Sequence, residues 1–310
     1  MLPSPLSCRN RLGASHEIAL LFKKLVTLRT DTKAIMVSAM SDNPDKLFSG
    51  SIPQLYEKYL VPLIFQPYAA EIAGRAAQRQ PSAVLEIACG TGVVTRELAK
   101  RLGPDVQITA TDLNEPMLAQ AVAVVMARAI EWRQADAMQL PFGDATFDLA
   151  VCQFGAMFFP DKPHAFSEVR RVLRRGGTFM FSVWDRIAEN EFADVVTQAL
   201  AEMFPHDPPR FLVRPPHGYH NVETIAADIA AAGFEEPPTI STLSMRSRAD
   251  SPRVPAIAYC QGTPLRSEIE ARDASRLAEA TDLAAEAIAA RFGPGEVDGK
   301  IQAHVIAVSG

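Results

Sequence analysis

The chain has 310 residues, of which 48% are hydrophobic and 22% are charged, a composition typical of one large or two small globular domains. Its formal net charge of -5 argues against nucleic-acid binding, which usually requires a basic surface. The four cysteines form no CxxC pair, so we expect no metal site, no disulfide framework and a reducing, cytoplasmic compartment.

Residues 1–40 differ in composition from the rest of the chain. They contain six Lys or Arg but only two acidic residues, and four aliphatic residues recur at helical spacing. We interpret them as a basic N-terminal extension that is disordered, or that precedes a true start at Met36 or Met40. A targeting peptide and a membrane-surface helix are the alternatives. No apolar run reaches the ~20 residues that cross a bilayer, so we expect no stable membrane insertion. We expect residues 41–310 to form a single domain.

Short strands and helices alternate from residue 82 onward. Apolar, β-branched runs predict strands over 82–88, 106–112, 130–136, the start of 146–157, and 178–185. Between them, patterns of helical period predict helices, the last of which ends at Gly176-Gly177. This alternation is typical of βαβ units and predicts an α/β fold, a Rossmann-like doubly wound sheet with helices on both faces. In such sheets ligands bind beyond the carboxyl ends of the strands.

The loop after the first predicted strand, EIACGTGVVT, contains two glycines but matches neither common phosphate-binding pattern. Thr95 stands where the dinucleotide fingerprint GxGxxG has its third glycine, and the loop lacks the lysine of a P-loop. Glu86, just before the loop, would repel a pyrophosphate but would suit a positively charged ligand. The loop therefore favours a ligand other than a dinucleotide.

A carboxylate follows the second predicted strand. Asp112 lies 20 residues after Gly92, where an acidic side chain can accept hydrogen bonds from both hydroxyls of a ribose. S-adenosylmethionine combines a ribose with a sulfonium and an ammonium group and has no phosphate. It therefore fits this loop better than NAD does.

Four motifs together resemble the class I S-adenosylmethionine-dependent methyltransferases. They are VLEIACGTG, ITATDLNEPML, ADAMQLPFGDATFDLAVCQFGAMFFPD and EVRRVLRRGG, and they cover about residues 82–185 in the right order. The strongest likeness is to the small-molecule branch typified by ubiquinone/menaquinone-biosynthesis C-methyltransferases. Ala88 departs from the widest form of the motif, which has a glycine there. The resemblance implies about seven strands, mostly parallel with an antiparallel last strand, and a cofactor-binding core over 82–185. The segment between the fifth strand and a predicted final strand over 300–309 is longer than one crossover requires, so we expect a helical lid or insert over about 205–292.

The resemblance also implies a set of residues that bind the cofactor. Gly90 and Gly92 would leave room for the methionine portion, and Glu86 would order the loop or meet the ammonium group. The remaining implied contacts are Asp112 to the ribose, Leu113 and Met117 beside the adenine, Asp136 and the Ala137 backbone at the adenine amino group, and Gln153 at the methionine end. Asp112 and Asp136 could instead cap turns, and the two glycines could serve a tight turn only.

Methyl transfer needs few catalytic groups, because the neutral thioether leaves without an acid. A base is required only if the acceptor must lose a proton, and His217, His220 and Tyr59 are the candidates. We expect a small or lipophilic acceptor whose methylated atom the sequence does not identify. The alternatives are a nicotinamide-dependent oxidoreductase and a non-catalytic ligand-binding or regulatory protein with the same fold.

The acceptor pocket is predicted within the insert. Tyr259, Cys260, Gln261 and Leu265 mix apolar surface with a few polar groups, as small-molecule pockets do. The alternative for the helix that follows, over 274–292, is a surface helix or a dimer contact. This helix could therefore contact a second copy of the chain in a homodimer.

Overall fold

The strands form one mixed sheet in the computed structural model, which describes residues 48–124 and 128–310. They are β1 (Ala83–Ile87), β2 (Gln107–Asp112), β3 (Glu131–Gln134), β4 (Phe147–Gln153), β5 (Leu173–Trp184), β6 (Thr239–Ala249) and β7 (Val297–Ser309). Their order is β3-β2-β1-β4-β5-β7-β6. The pairings from β3 to β5 are parallel, and β7 runs antiparallel to both β5 and β6. The prediction of a Rossmann-like sheet of about seven strands with an antiparallel last strand is confirmed.

Helices surround this sheet. They are α1 (Ile52–Leu55), α2 (Gln66–Gln78), α3 (Val93–Arg101), α4 (Glu115–Ala123), α5 (Lys162–Val172), α6 (Glu191–Met203), α7 (Pro215–Gly218), α8 (Val222–Ala231), α9 (Arg253–Gln261), α10 (Leu265–Asp273) and α11 (Leu277–Phe292). A π-helical segment, Tyr56–Phe65, joins α1 to α2. None of the helices in the described part of the chain combines the length and the apolarity that crossing a bilayer requires. The predicted N-terminal extension, residues 1–40, lies outside the described residues.

One predicted element boundary is wrong. The helix expected to continue to Gly176-Gly177 ends at Val172, and Leu173 already pairs with Phe147 of β4. The insert over about 205–292 contains β6 as well as helices, and β6 pairs with β7 along its whole length. β6 is half exposed and rich in Ser, Thr and Arg, so its sequence carries only a weak strand signal.

Polar contacts fix the position of the N-terminal helices and of β1. The hydroxyl of Tyr68, on α2, donates to the carbonyl oxygens of Leu243 (2.9 Å) and Ile301 (3.3 Å), which ties α2 to β6 and β7. At the opposite end of the sheet, Asp148 accepts hydrogen bonds from the backbone N–H groups of Ser82 (2.8 Å) and Ala83 (2.9 Å). Asp148 therefore anchors the start of β1.

The turns that follow β1 and β4 lie against each other. Ala88 and Phe154 both have a positive φ, +54° and +53°, which side-chain-bearing residues rarely adopt. A Cβ atom on Gly155 would lie 2.5 Å from Cβ of Ala88 and 2.9 Å from Sγ of Cys152. These turns stand at the switch point of the strand order, where an open α/β sheet has its ligand crevice.

We expect Gly155→Ala to destabilise the fold by about 1–3 kcal/mol, because the added methyl group overpacks the contact with Ala88. Ala88→Gly in the same chain should recover part of the loss, since it removes the 2.5 Å clash. Urea denaturation of the single and double variants measures both effects.

Gly74→Ala is the matched control. Gly74 lies within α2 with no atom within 4 Å of an added Cβ, so this change should stabilise the protein by about 0.5–1 kcal/mol. A Gly155→Ala variant as stable as the original protein would contradict the proposed close contact of the two turns.

Candidate functional site

The carboxyl ends of β1, β2 and β4 bring the predicted cofactor residues to one edge of the sheet. Glu86 pairs in register with Ala110 of β2 and with Val151 of β4, so the loop after β1 lies between the ends of its two neighbours. The backbone N–H of Gly90 donates to Oδ2 of Asp112 (2.8 Å). A Cβ atom on Gly90 would lie 3.6 Å from Cε of Met117. Gly90, Asp112 and Met117 therefore form one contiguous group.

Asp112 is buried and holds the loop through backbone hydrogen bonds. Its Oδ2 accepts from Gly90 and its Oδ1 accepts from the N–H of Asn114 (2.8 Å). Burial raises the pKa of Asp112 above its ordinary value, and the backbone hydrogen bonds oppose that shift. Each carboxylate oxygen has a second acceptor site, so these bonds leave the carboxylate able to accept a ribose hydroxyl. Turn capping and ribose binding are compatible at this residue.

Glu86 lies beneath the loop. Its side chain is 1% exposed, and the hydroxyl of Thr95, in the first turn of α3, donates to its Oε2 (2.6 Å). Burial raises the pKa of Glu86 to about 8. A carboxyl with that pKa is mostly protonated at neutral pH. Of the two roles implied for Glu86, ordering the loop fits this geometry better than meeting an ammonium group.

The two glycines of the loop have positive φ angles that favour glycine. Gly92 (φ +82°) starts α3, and a Cβ atom on it would lie 3.2 Å from Cβ of Ala121 and 3.3 Å from the Trp132 ring. Gly90 has φ +58°. Close packing on α4 and β3 and the backbone conformation both require small residues here, so the tight-turn alternative and the ligand-binding role coexist.

The residues predicted at the adenine lie at the ends of β2 and β3. Asp136 is exposed, and its Oδ1 accepts from the N–H of Met138 (2.9 Å), so it caps its own turn. Ala137 is buried, and the carbonyl oxygen of the half-buried Leu113 accepts from Nε2 of Gln134 (2.9 Å). Their contact with an adenine ring stays a prediction.

Gln153, the last residue of β4, has one side-chain atom without a partner. Its Nε2 donates to the carbonyl oxygen of Phe65 (3.3 Å), whereas its Oε1 is buried and has no hydrogen-bond partner among the described residues. Thr91, in the glycine loop, likewise has a buried Oγ1 that lacks a partner there. Buried polar atoms without partners are uncommon and point to a missing ligand or water.

An aromatic cluster lies at the carboxyl ends of β4 and β5. The rings of Phe154 and Trp184 stack with centres 3.8 Å apart, and Tyr68 contacts both edge-on at 5.4 Å. Phe65 joins them and stacks at 4.8 Å on Tyr56. We call Tyr56, Phe65, Tyr68, Phe154 and Trp184 the aromatic cluster. No local pattern in the sequence pointed to Trp184 as a member of this group.

The candidate bases are dispersed. His217 is buried against the carbonyl oxygen of Asp185, which its Nδ1–H reaches at 2.8 Å, and burial lowers its pKa to about 4. It lies in the short helix α7, and its ring centre is 6.1 Å from that of Trp184. His220 contacts the His217 carbonyl oxygen through Nδ1 (2.9 Å), and Tyr59 is half-buried beneath Lys58. A base role for any of them stays a prediction.

The residues predicted for the acceptor within the insert are engaged in helix packing. Tyr259 and Cys260 are buried in α9, and Leu265 is buried in α10. Gln261 donates from Nε2 to Oγ1 of Thr281 (3.0 Å), which joins α9 to α11.

Sequence reasoning missed Glu57 and Arg96 at this site. Nη2 of Arg96 donates to Oε1 of Glu57 (2.7 Å), and its Nη1 donates to the carbonyl oxygen of Thr91 (2.8 Å). Arg96 thus connects the π-helical segment to the glycine loop. A separation of 39 positions along the chain hides this pair from any local pattern.

We expect Glu86→Gln to stabilise the protein at pH 8 but not near pH 4.5. The unfolded chain loses the Glu86 proton near pH 4.5, whereas the folded chain retains it to about pH 8, so this group lowers stability as pH rises through that window. Glutamine keeps the shape and can still accept from Thr95. Urea denaturation at pH 5, 6.5 and 8 measures the difference.

Glu131→Gln is the control for that series, since Glu131 is exposed and also accepts a threonine hydroxyl, from Thr109 at 3.1 Å. A Glu86→Gln effect of equal size at all three pH values would contradict the assignment.

Comparisons with known proteins identify the family of the domain that contains this loop. Residues 84–177 match the family described as "Methyltransferase domain". The chain is 28% identical over 213 residues to the ubiquinone/menaquinone biosynthesis C-methyltransferase of Pseudomonas fluorescens, covering 64% of this chain and 78% of that protein. It is 32% identical over 148 residues to the protein of the same name from Teredinibacter turnerae, covering 46% of this chain and 55% of that protein.

Solved structures give a weaker likeness. A putative methyltransferase from Bacillus halodurans superimposes with a TM-score of 0.49 at 19% identity, over 78% of this chain and 97% of that one. The matched domain contains β1, β2, β4 and the carboxylate of Asp112. Residues 84–177 thus form a methyltransferase domain, and the chain resembles the class I S-adenosylmethionine-dependent methyltransferases, in particular the ubiquinone/menaquinone-biosynthesis C-methyltransferases.

Proposed function

We propose that the enzyme methylates a small lipophilic acceptor that lies against the aromatic cluster, next to a cofactor held by the loop after β1. The observation that carries this proposal is the position of the cluster. Phe154 directly follows β4 and Trp184 ends β5, so both rings lie beside Gln153 at the edge of the sheet that holds Asp112. The relatives named above act in ubiquinone and menaquinone biosynthesis, which supports a lipophilic acceptor.

The residues present fit S-adenosylmethionine. We assign the ribose to Asp112, whose oxygens have unused acceptor sites, and the methionine portion to the loop at Gly90 and to Gln153. The unpartnered Oε1 of Gln153 and Oγ1 of Thr91 are acceptors that a ligand with N–H groups would satisfy. Leu113, Met117, Asp136 and Ala137 are proposed for the adenine, with Met117 nearest to Gly90.

Catalysis in this proposal rests on positioning. The bound cofactor supplies an electrophilic methyl group on a sulfonium, and the thioether that leaves is neutral. The aromatic cluster is proposed as the apolar wall that excludes water and orients the acceptor, and ring faces also attract a neighbouring cation. Holding two reactants aligned can supply up to about 7–11 kcal/mol of the barrier reduction.

A cytoplasmic location, the absence of nucleic-acid binding and a homodimer remain predictions from the sequence. The insert is proposed to cover the acceptor rather than to hold it. Helix α9 packs on the π-helical segment, where a Cβ atom on Gly262 would lie 3.3 Å from Cδ1 of Leu60. The position of α9 next to the aromatic cluster supports a cover over that side of the site.

Asp112→Asn should weaken binding of S-adenosylhomocysteine by about 1.5–3 kcal/mol for each hydrogen bond lost from a ribose hydroxyl. The variant also disturbs the loop, so a second ligand is needed to distinguish the loss of the ribose contact from the change in the loop. An analogue without the ribose hydroxyls should bind the original protein weakly and the variant equally weakly. Calorimetry measures the affinity of each of the two proteins for each of the two ligands.

Asp144→Asn is the control, because Asp144 is an exposed carboxylate that pairs with Arg171 (2.9 Å) away from the loop. A full loss of affinity for the hydroxyl-free analogue on Asp112→Asn would mean that Asp112 acts through the loop and not on the ribose. NAD should not bind to any of these proteins.

Phe158→Ala and Gln261→Ala distinguish the two acceptor locations. Phe158 is half-buried near the cluster, edge-on to Phe48 at 6.1 Å. We expect Phe158→Ala to keep cofactor affinity within about threefold and to lower kcat/KM at least tenfold, about 1.4 kcal/mol. Labelled-methyl transfer to components of a cell extract measures turnover, and calorimetry measures cofactor affinity. The reverse pattern, with only Gln261→Ala impaired, would place the acceptor in the insert.

A further inference from the structure

The π-helical segment brings a carboxylate to the glycine loop. Glu57 pairs with Arg96, which also holds the Thr91 carbonyl oxygen, so two hydrogen bonds of 2.7 and 2.8 Å connect the segment to the loop. The neighbouring Tyr56 extends over the same loop, with its phenol oxygen 4.0 Å from where a Cβ atom on Gly90 would lie. The side chains of Arg96 and Glu57 are only 16% and 24% exposed. This pair is therefore well shielded from water.

One oxygen of this carboxylate lacks a donor. Oε2 of Glu57 is buried and has no hydrogen-bond partner in residues 48–124 and 128–310. The same holds for Oγ1 of Thr91, at the other end of the link through Arg96. A buried carboxylate oxygen without a donor is destabilising, because it has lost its hydrogen bonds to water and has no donor in the protein to replace them. A cationic N–H donor on a ligand in the loop would satisfy it.

The other carboxyl groups of the site are already committed. Glu86 is bonded to Thr95 under the loop, and its raised pKa makes it a poor partner for a cation at neutral pH. Asp112 accepts from two backbone N–H groups and is assigned to the ribose. Glu57 is thus the carboxylate at this loop that has a buried oxygen without a hydrogen-bond donor.

We propose that Glu57 is a cofactor-binding residue whose Oε2 accepts a hydrogen bond from the α-ammonium group of S-adenosylmethionine, with Arg96 as the positioning residue. This inference rests on the proposed binding of the cofactor at the loop. It also gives the π-helical segment a function, since the segment closes over the cofactor by contacting its charged end.

Two ligands that differ in one group test the proposal. S-adenosylhomocysteine carries the α-ammonium group, and its deamino analogue does not. We expect Glu57→Gln to weaken binding of S-adenosylhomocysteine at least tenfold and binding of the analogue less than twofold, both measured by calorimetry on the full chain. If Glu57→Gln does not fold, Glu57→Asp replaces it. The Asp variant keeps the charge but shortens the reach, and it should also weaken S-adenosylhomocysteine more than the analogue.

Glu71→Gln is the matched control, because Glu71 forms a comparable ion pair with Arg75 (2.8 Å) on α2 and should alter neither affinity. Equal weakening of both ligands in Glu57→Gln would overturn the proposal and show that Glu57 only fastens the segment. Unchanged affinity for S-adenosylhomocysteine would overturn it as well. If the original protein binds neither ligand, the proposed cofactor site itself fails.

Discussion

The contact between the turns after β1 and β4 constrains the whole site. These strands are neighbours in the sheet. From β1 the chain continues to β2 on one side of the pair, and from β4 it continues to β5 on the other side. The two turns meet where Gly155 has no room for a Cβ atom beside Ala88, and where Ala88 and Phe154 both hold a positive φ. The strain of those two residues is tolerated because the surrounding sheet is buried and regular. The crevice that results lies between Asp112 on one side and Trp184 on the other.

Charge is distributed unevenly around that crevice. Three carboxyl groups lie near the loop, and each has a different electrostatic environment. Glu86 is buried and favours its neutral form, Asp112 is held by backbone N–H groups, and Glu57 is balanced by Arg96. Since S-adenosylmethionine carries a net positive charge, a site with more acids than bases is complementary to it. Because burial favours the neutral form of Glu86, this group adds little to the repulsion among the acids in the absence of ligand.

The N-terminal helices connect the cofactor site to the proposed acceptor site. Tyr56 covers Gly90 and stacks on Phe65, and Phe65 contacts both Phe154 and Trp184. Tyr68 anchors this layer to β6 and β7 through its hydroxyl. A shift of the π-helical segment would therefore change both sites together. The extended π-helical geometry, with Pro62 inside it, is a form often found at functional sites.

The sequence alone predicted the sheet and the cofactor, because local patterns encode both. Strand and helix periods gave β1 to β5, and the loop with Asp112 distinguished S-adenosylmethionine from a dinucleotide. Patterns failed where the deciding contact is distant. The helix before Gly176 ends early because Leu173 pairs with Phe147 of β4. Only the tertiary structure joined Glu57 to Arg96 and Trp184 to Phe154, since these pairs form between elements whose separation along the chain carries no periodic signal.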